Sequence, residues 1–180
     1  MLTVDDTVLA VVDVQGKLAQ LMADREALFD GLAILIKGAD ILDLPVVWTE
    51  QYPQGLGPTL DSLAALLRPK VEPIPKLAFS CWGCEPFVDA IRKTNRRKVL
   101  LAGIETHICI YQTTADLLAQ GYEVQVVGDA VSSRTVRNRE LGLQRIRDLG
   151  AAITTVEMAL FELQRMAGTN RFRELARLVR

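Results

Sequence analysis

The chain has one histidine, three cysteines and no long apolar run, and each scarcity closes off a class of function. An open catalytic zinc site needs three protein ligands, and His107 stands alone. Joined on paper to Cys81, Cys84 and Cys109, it gives a spacing that matches no standard zinc finger. No bound metal is therefore expected. An odd number of thiols fits poorly with a secreted disulfide framework. The apolar stretches are short and interrupted by charge or proline, which leaves no candidate spanning helix. The opening Met1-Leu-Thr-Val-Asp-Asp6 lacks a basic region followed by an apolar core, so it does not read as a secretory signal and the expected compartment is cytoplasmic. Basic excess is missing as well. Lys and Arg number 21 against 22 Asp and Glu, the net charge is −1 and the isoelectric point is near 5.9, so neither nucleic acid nor a membrane is an expected partner. Repeats and low-complexity segments are absent from the sequence.

With 49% hydrophobic residues in 180, the chain is large enough for a real core and is expected to form one domain over 1–180. Apolar runs at 7–14, 45–49, 71–75, 99–102, 122–127 and 151–154 read as strands, the third limited to an edge by its prolines. Helical spacing separates them. A short helix from 16, an amphipathic one at 24–42 through Leu28, Leu32, Leu35 and Ile36, and helices at 59–67, 85–93, 106–121 and 137–149 are predicted. Residues 50–58 and 128–134 read as loops, the second with Asp129 and Arg134 in reach of an ion pair. Thr106 is a predicted N-cap, and Thr154-Thr-Val-Glu157 a capping box for a further helix. A last amphipathic helix at 170–180 offers an apolar face that favours a subunit contact. Such alternation predicts an α/β protein with a parallel sheet.

Cys109 is predicted to sit in the first turn after the 99–102 strand, where free backbone N–H groups and the helix dipole favour a thiolate. A nucleophile is one reading of it, and a small buried hydrophobe is the other. Asp13 ends the first strand on the edge where ligands of parallel sheets bind, either as a site residue or as a helix cap. Lys76, in Pro75-Lys-Leu-Ala-Phe79, needs a negative partner if it is buried, and is otherwise a surface lysine. Cys81 and Cys84 in Ser80-Cys-Trp-Gly-Cys84 form a C-x-x-C that could be a dithiol redox centre. Gly55-Leu-Gly57 lacks the third glycine of a dinucleotide fingerprint, so no cofactor is expected.

Val11-Val-Asp-Val-Gln15, Lys76 with Phe79-Ser80, and Gly103-Ile-Glu-Thr-His-Ile-Cys109 resemble the Asp, Lys and Cys motifs of the isochorismatase-like (cysteine hydrolase) superfamily. Thr49-Glu-Gln-Tyr-Pro53, Gly128-Asp-Ala130 and Ser133-Arg134 are similar to its small isochorismatase-domain hydrolases. The resemblance implies a doubly wound, Rossmann-like six-stranded and mostly parallel sheet, with a triad of Asp13, Lys76 and Cys109. Asp13 would take the thiol proton, Cys109 would attack a carbonyl carbon, and Lys76 would hold both anions. It also implies an oxyanion hole on the N–H groups of Glu105 and Cys109, and a cis Ile104–Glu105 peptide. Gln15, Tyr52, Phe79, Trp82 and Ile104 would surround a small-molecule substrate, in a homo-oligomer. Relatives of the nicotinamidase kind carry an Asp-x-His metal motif where this chain has Glu50-Gln-Tyr52, which disfavours nicotinamide. Retention of Cys109 leans towards amide or carbamoyl hydrolysis. Two other classes are open: a thiol–disulfide oxidoreductase on Cys81 and Cys84, and a catalytically idle oligomeric scaffold.

Overall fold

The computed structural model describes residues 1–179. Its centre is β1 (Thr7–Val12), buried along its whole length, as expected of a β-branched run with helices on both sides. It pairs in parallel with β2 (Val46–Gln51) and β4 (Lys98–Ile104), and β3 (Ile74–Lys76), β5 (Glu123–Ser132) and β6 (Ala152–Thr154) complete a six-stranded, all-parallel sheet. The spatial order is β3-β2-β1-β4-β5-β6. Strand order reverses between β1 and β4, which opens the crevice where doubly wound sheets bind ligands.

Alternate residues of β1 feed two cores. Leu9 and Val11 pack in one layer with Leu32 and Leu35 of α2 (Arg25–Ile41) and Leu160 of α8 (Val156–Gln164). Val8, Ala10 and Val12 pack in the other with Phe87 and Ile91 of α5 (Glu85–Lys93), Leu117 of α6 (Tyr111–Ala119) and Ile146 of α7 (Val136–Asp148). Shorter helices α1 (Gly16–Gln20), α3 (Pro53–Leu56) and α4 (Asp61–Leu67) follow β1 and β2. The final helix α9 (Asn170–Leu178) does not leave its apolar face free: Leu175 is fully buried and Phe172 packs on Phe161. No helix among the described residues is long and apolar enough to cross a membrane.

The structure corrects five further expectations. Residues 128–132 are strand, because β5 shifts register against β4 between Leu101 and Gly103 and continues to Ser132. Asp129 accepts the N–H of Val156 and so stands at the start of α8, whereas Arg134 pairs with Glu105. Residues 50–51 also belong to strand, and 53–56 form a helical turn. Thr155, not a Thr154 capping box, caps α8 by accepting from Met158 N–H. Thr106 caps nothing: residues Thr106–Ile110 form a π-helical turn, and its hydroxyl is buried without a partner.

Candidate active site

The carboxyl ends of β1, β2, β3 and β4 bring Asp13, Lys76 and Cys109 together. The backbone of Asp13 takes a left-handed turn, φ +56°, which aspartate tolerates better than a β-branched residue does. Its Oδ2 lies 2.6 Å from Lys76 Nζ, with the two side chains 2% and 0% exposed. Register pairs Val12 with Thr49, so the Thr49 hydroxyl is next to Asp13 and donates to Oδ1 at 2.8 Å. Lys76 Nζ also donates to Gln51 Oε1 at 2.6 Å and to the carbonyls of Ala78 and Phe79, both at 3.1 Å. Both buried charges are thus paired and hydrogen-bonded, as burial of charge requires.

Cys109 enters on the π-helical turn that leads into α6. Gly103 lets β4 reach that turn: its φ is +123°, and a side chain there would strike Val12 O. Cys109 shares the pocket with Asp13 and lies close enough to Asp13 and Lys76 to feel both charges. Burial pushes the thiol above its ordinary value, Asp13's negative charge pushes it further, and Lys76 pulls only part of the way back. These contributions oppose the thiolate that a helix start favours. Burial likewise raises the Asp13 carboxyl, opposed by the charge and hydrogen bond of Lys76 and by hydrogen bonds from Thr49 and Cys109. Burial works against the Lys76 charge, but its acidic neighbours Cys81, Asp13 and Cys109 outweigh it and keep the ammonium above the usual lysine value.

Asp13 and Cys109 open onto a pocket of about 90 Å³, walled by Leu18, Leu56, Phe79, Ile104 and Ile108, while Lys76 stands behind Asp13 and lines a neighbouring cleft. The Ile104–Glu105 peptide is cis. The Glu105 carboxylate is held by Arg134, through N–H at 3.0 Å and Nε at 3.1 Å.

Other expected residues lie elsewhere. Gln15 is buried and ties Gln51 N–H to its Oε1, and its Nε2 to the carbonyls of Gln51 and Gly57, so it holds the wall of the pocket and does not face it. Tyr52 borders a neighbouring cleft of about 460 Å³ together with Leu77 and Cys84. Trp82 turns away altogether, because the 3-10 turn Cys81–Gly83 sets its ring against Tyr122. Thr49 and Gln51 were not anticipated. A buried aspartate at a strand end needs donors, and the neighbouring parallel strand is where to look for them.

Cys81 and Cys84 do not form an exposed dithiol. The Cys81 thiol is fully buried, 3.9 Å from Thr49 Oγ1, and burial pushes it up to about 12, whereas the Cys84 thiol faces Pro75 O at 3.7 Å. All three cysteines are free. No group of three or more His, Cys, Asp or Glu side chains able to hold a metal occurs among the described residues.

A family model described as the isochorismatase domain matches residues 7–158. The chain is 41% identical over 179 residues to the secreted isochorismatase effector Isc1 of Phytophthora sojae, covering 97% of this chain and 84% of that protein. Among solved structures, the MAR1 ribonuclease of Caenorhabditis elegans superposes with a TM-score of 0.92 at 35% identity, over 99% of this chain and 91% of that one. The YcaC gene product of Escherichia coli, described as an octameric hydrolase of unknown specificity, superposes with a TM-score of 0.92 at 24% identity, over 98% and 89%.

Proposed function

Because the chain belongs to the isochorismatase family of hydrolases, we propose that it hydrolyses a small neutral amide, carbamoyl or related carbonyl compound, with Asp13, Lys76 and Cys109 as the catalytic triad. The observation that carries this reading is a buried carboxylate paired with an ammonium and sharing a largely apolar pocket with Cys109. As Cys109 Sγ bonds to the substrate carbonyl carbon, its proton passes to Asp13, so a thiol that is neutral at rest becomes a nucleophile only in the act of attack. The N–H groups of Glu105 and Cys109 are offered to the oxyanion. Collapse breaks the C–N bond, Asp13 returns the proton to the departing amine, and a thioester on Cys109 remains. Water then attacks the thioester with Asp13 as base, releasing the acid and restoring the thiol. Lys76 keeps its proton throughout and steadies each anionic state.

Size and charge support a small neutral substrate. About 90 Å³ holds only a few non-hydrogen atoms beyond the reacting carbonyl. The carboxylates of Asp13 and Glu105 border the pocket, while the Lys76 ammonium is fully engaged. The same arrangement disfavours a polyanion such as the substrate of the nematode relative described as a ribonuclease. The thiol–disulfide reading loses support from the buried, raised Cys81. A homo-oligomer is favoured by Leu21, Tyr52, Leu77 and Phe79, large apolar side chains that are half or more exposed. A cytoplasmic location rests on three unpaired thiols. The test is ammonia release from a panel of small neutral amides and ureido compounds. Turnover that disappears in Cys109→Ala, with an acyl adduct on Cys109 by mass spectrometry, supports the proposal. Turnover that survives Cys109→Ala overturns it.

A further inference from the structure

Trp82 is the residue that the sequence reading assigned to the active site and the structure places elsewhere. It lines a cleft of about 330 Å³ with Tyr122, Arg92, Arg96 and Arg97. Arg97 lies just before β4 and Tyr122 just before β5, at the amino end of the sheet, whereas Asp13 and Cys109 stand at the carboxyl end. The two rings meet edge to face, with centroids 5.5 Å apart. The Arg92 guanidinium is 5.7 Å from the Trp82 ring centre, and that of Arg97 is 5.7 Å from the Tyr122 ring centre.

The cleft concentrates positive charge in a chain that is otherwise balanced. Among the described residues, the guanidinium groups of Arg92, Arg96 and Arg97 pair with no carboxylate; the nearby Asp6 accepts the Arg97 backbone N–H at 2.9 Å and pairs with Lys98. Arg96 is committed to the backbone, donating to the carbonyls of Val4 and Thr7. Arg97 donates to Gly121 O at 3.2 Å, and the Arg92 side chain donates to no protein acceptor. Two guanidinium forks therefore keep free N–H donors beside two aromatic rings. Forks of this kind match phosphate oxygens bidentately, and aromatic side chains with arginine stack on nucleobases. The volume sits at the lower end of the roughly 300–1,000 Å³ of ligand sites, room for one nucleotide rather than a strand.

We propose that this cleft binds a nucleoside monophosphate, its base packed against Trp82 and Tyr122 and its phosphate held by Arg92 and Arg97. The site is independent of the hydrolase chemistry. Titration calorimetry of the full chain with adenosine monophosphate, alongside Trp82 emission, tests it. The expected result is saturable one-to-one binding, weakened about tenfold or more in Arg92→Gln and in Arg97→Ala, weakened again by salt, and unchanged in Cys109→Ala. Inorganic phosphate alone binds more weakly than the nucleotide, and adenosine alone more weakly still. The absence of saturable binding, affinity unchanged in both folded arginine variants, or phosphate binding as tightly as the nucleotide would each overturn it.

Discussion

At the carboxyl end of the sheet Asp13 and Lys76 face each other almost without solvent, whereas at the amino end Arg92 and Arg97 lie exposed against aromatic rings, their guanidinium groups paired with no carboxylate among the described residues. Burial makes the difference. A charge withdrawn from water must be matched atom by atom, and Thr49, Gln51 and two carbonyls complete that matching around the first pair. A charge left at the surface costs little when unpaired and stays available to an incoming anion. The carboxyl end is therefore pre-organised for chemistry on a small guest, and the amino end is open to a ligand that brings its own charge.

The largest effect that would break this contrast is on turnover. Cys109→Ala is expected to lower hydrolysis by on the order of 10⁴-fold or more with the fold retained, measured by ammonia release and circular dichroism. Next in size, Lys76→Met leaves the Asp13 carboxylate buried without its cation and is expected to cost about 3–5 kcal/mol in urea unfolding. Adding Asp13→Asn to it should recover part of the loss, because the two sites share one interaction.

Thr49→Val removes a donor to Asp13 and should cost about 1–3 kcal/mol. It should also move the acid limb of kcat/KM to higher pH, since that hydrogen bond holds the carboxyl down. The sign follows from the direction of the shift. Asp13 must be ionised to accept the thiol proton, so activity rises as pH passes upward through its raised value. Its contribution to stability runs the other way, complete below the unfolded value and lost as pH rises through the folded one. The Lys76 contribution, also from a raised value, persists to the alkaline side and disappears only as pH rises through the folded lysine value. Smallest of all, Arg97→Ala should change unfolding free energy by no more than about 0.5 kcal/mol while still weakening nucleotide binding.

Most of the strands were legible because a strand buried on both faces must be a short, nearly continuous apolar run, as at 7–12 and 98–104. The end of β5 was not, because Gly128-Asp-Ala-Val-Ser-Ser133 carries the composition of a turn, and only a register shift against β4 keeps it in the sheet. Asp13, Lys76 and Cys109 could be picked out as chemically odd residues at strand ends. Thr49 and Gln51 could not, since their parts depend on which residues of neighbouring strands lie side by side. Trp82 was misassigned because sequence proximity to Phe79 and Cys81 does not reveal that a 3-10 turn swings the ring towards Tyr122. The thiolate expectation meets opposition for a related reason. A helix start favours the anion, but burial and the Asp13 charge oppose it more strongly.

The central claim is that Cys109 rests as a thiol and gives its proton to Asp13 only during attack. The most direct test is the pH dependence of Cys109 alkylation by iodoacetamide, mapped by mass spectrometry in the wild type and in Asp13→Asn. The account predicts a wild-type midpoint above the ordinary thiol value of about 8.5, a lower midpoint in Asp13→Asn because the opposing charge is gone, and loss of turnover in that same variant. A wild-type midpoint below the ordinary value that rises in Asp13→Asn would show that Asp13 keeps a thiolate ready in the free enzyme, and would contradict the account.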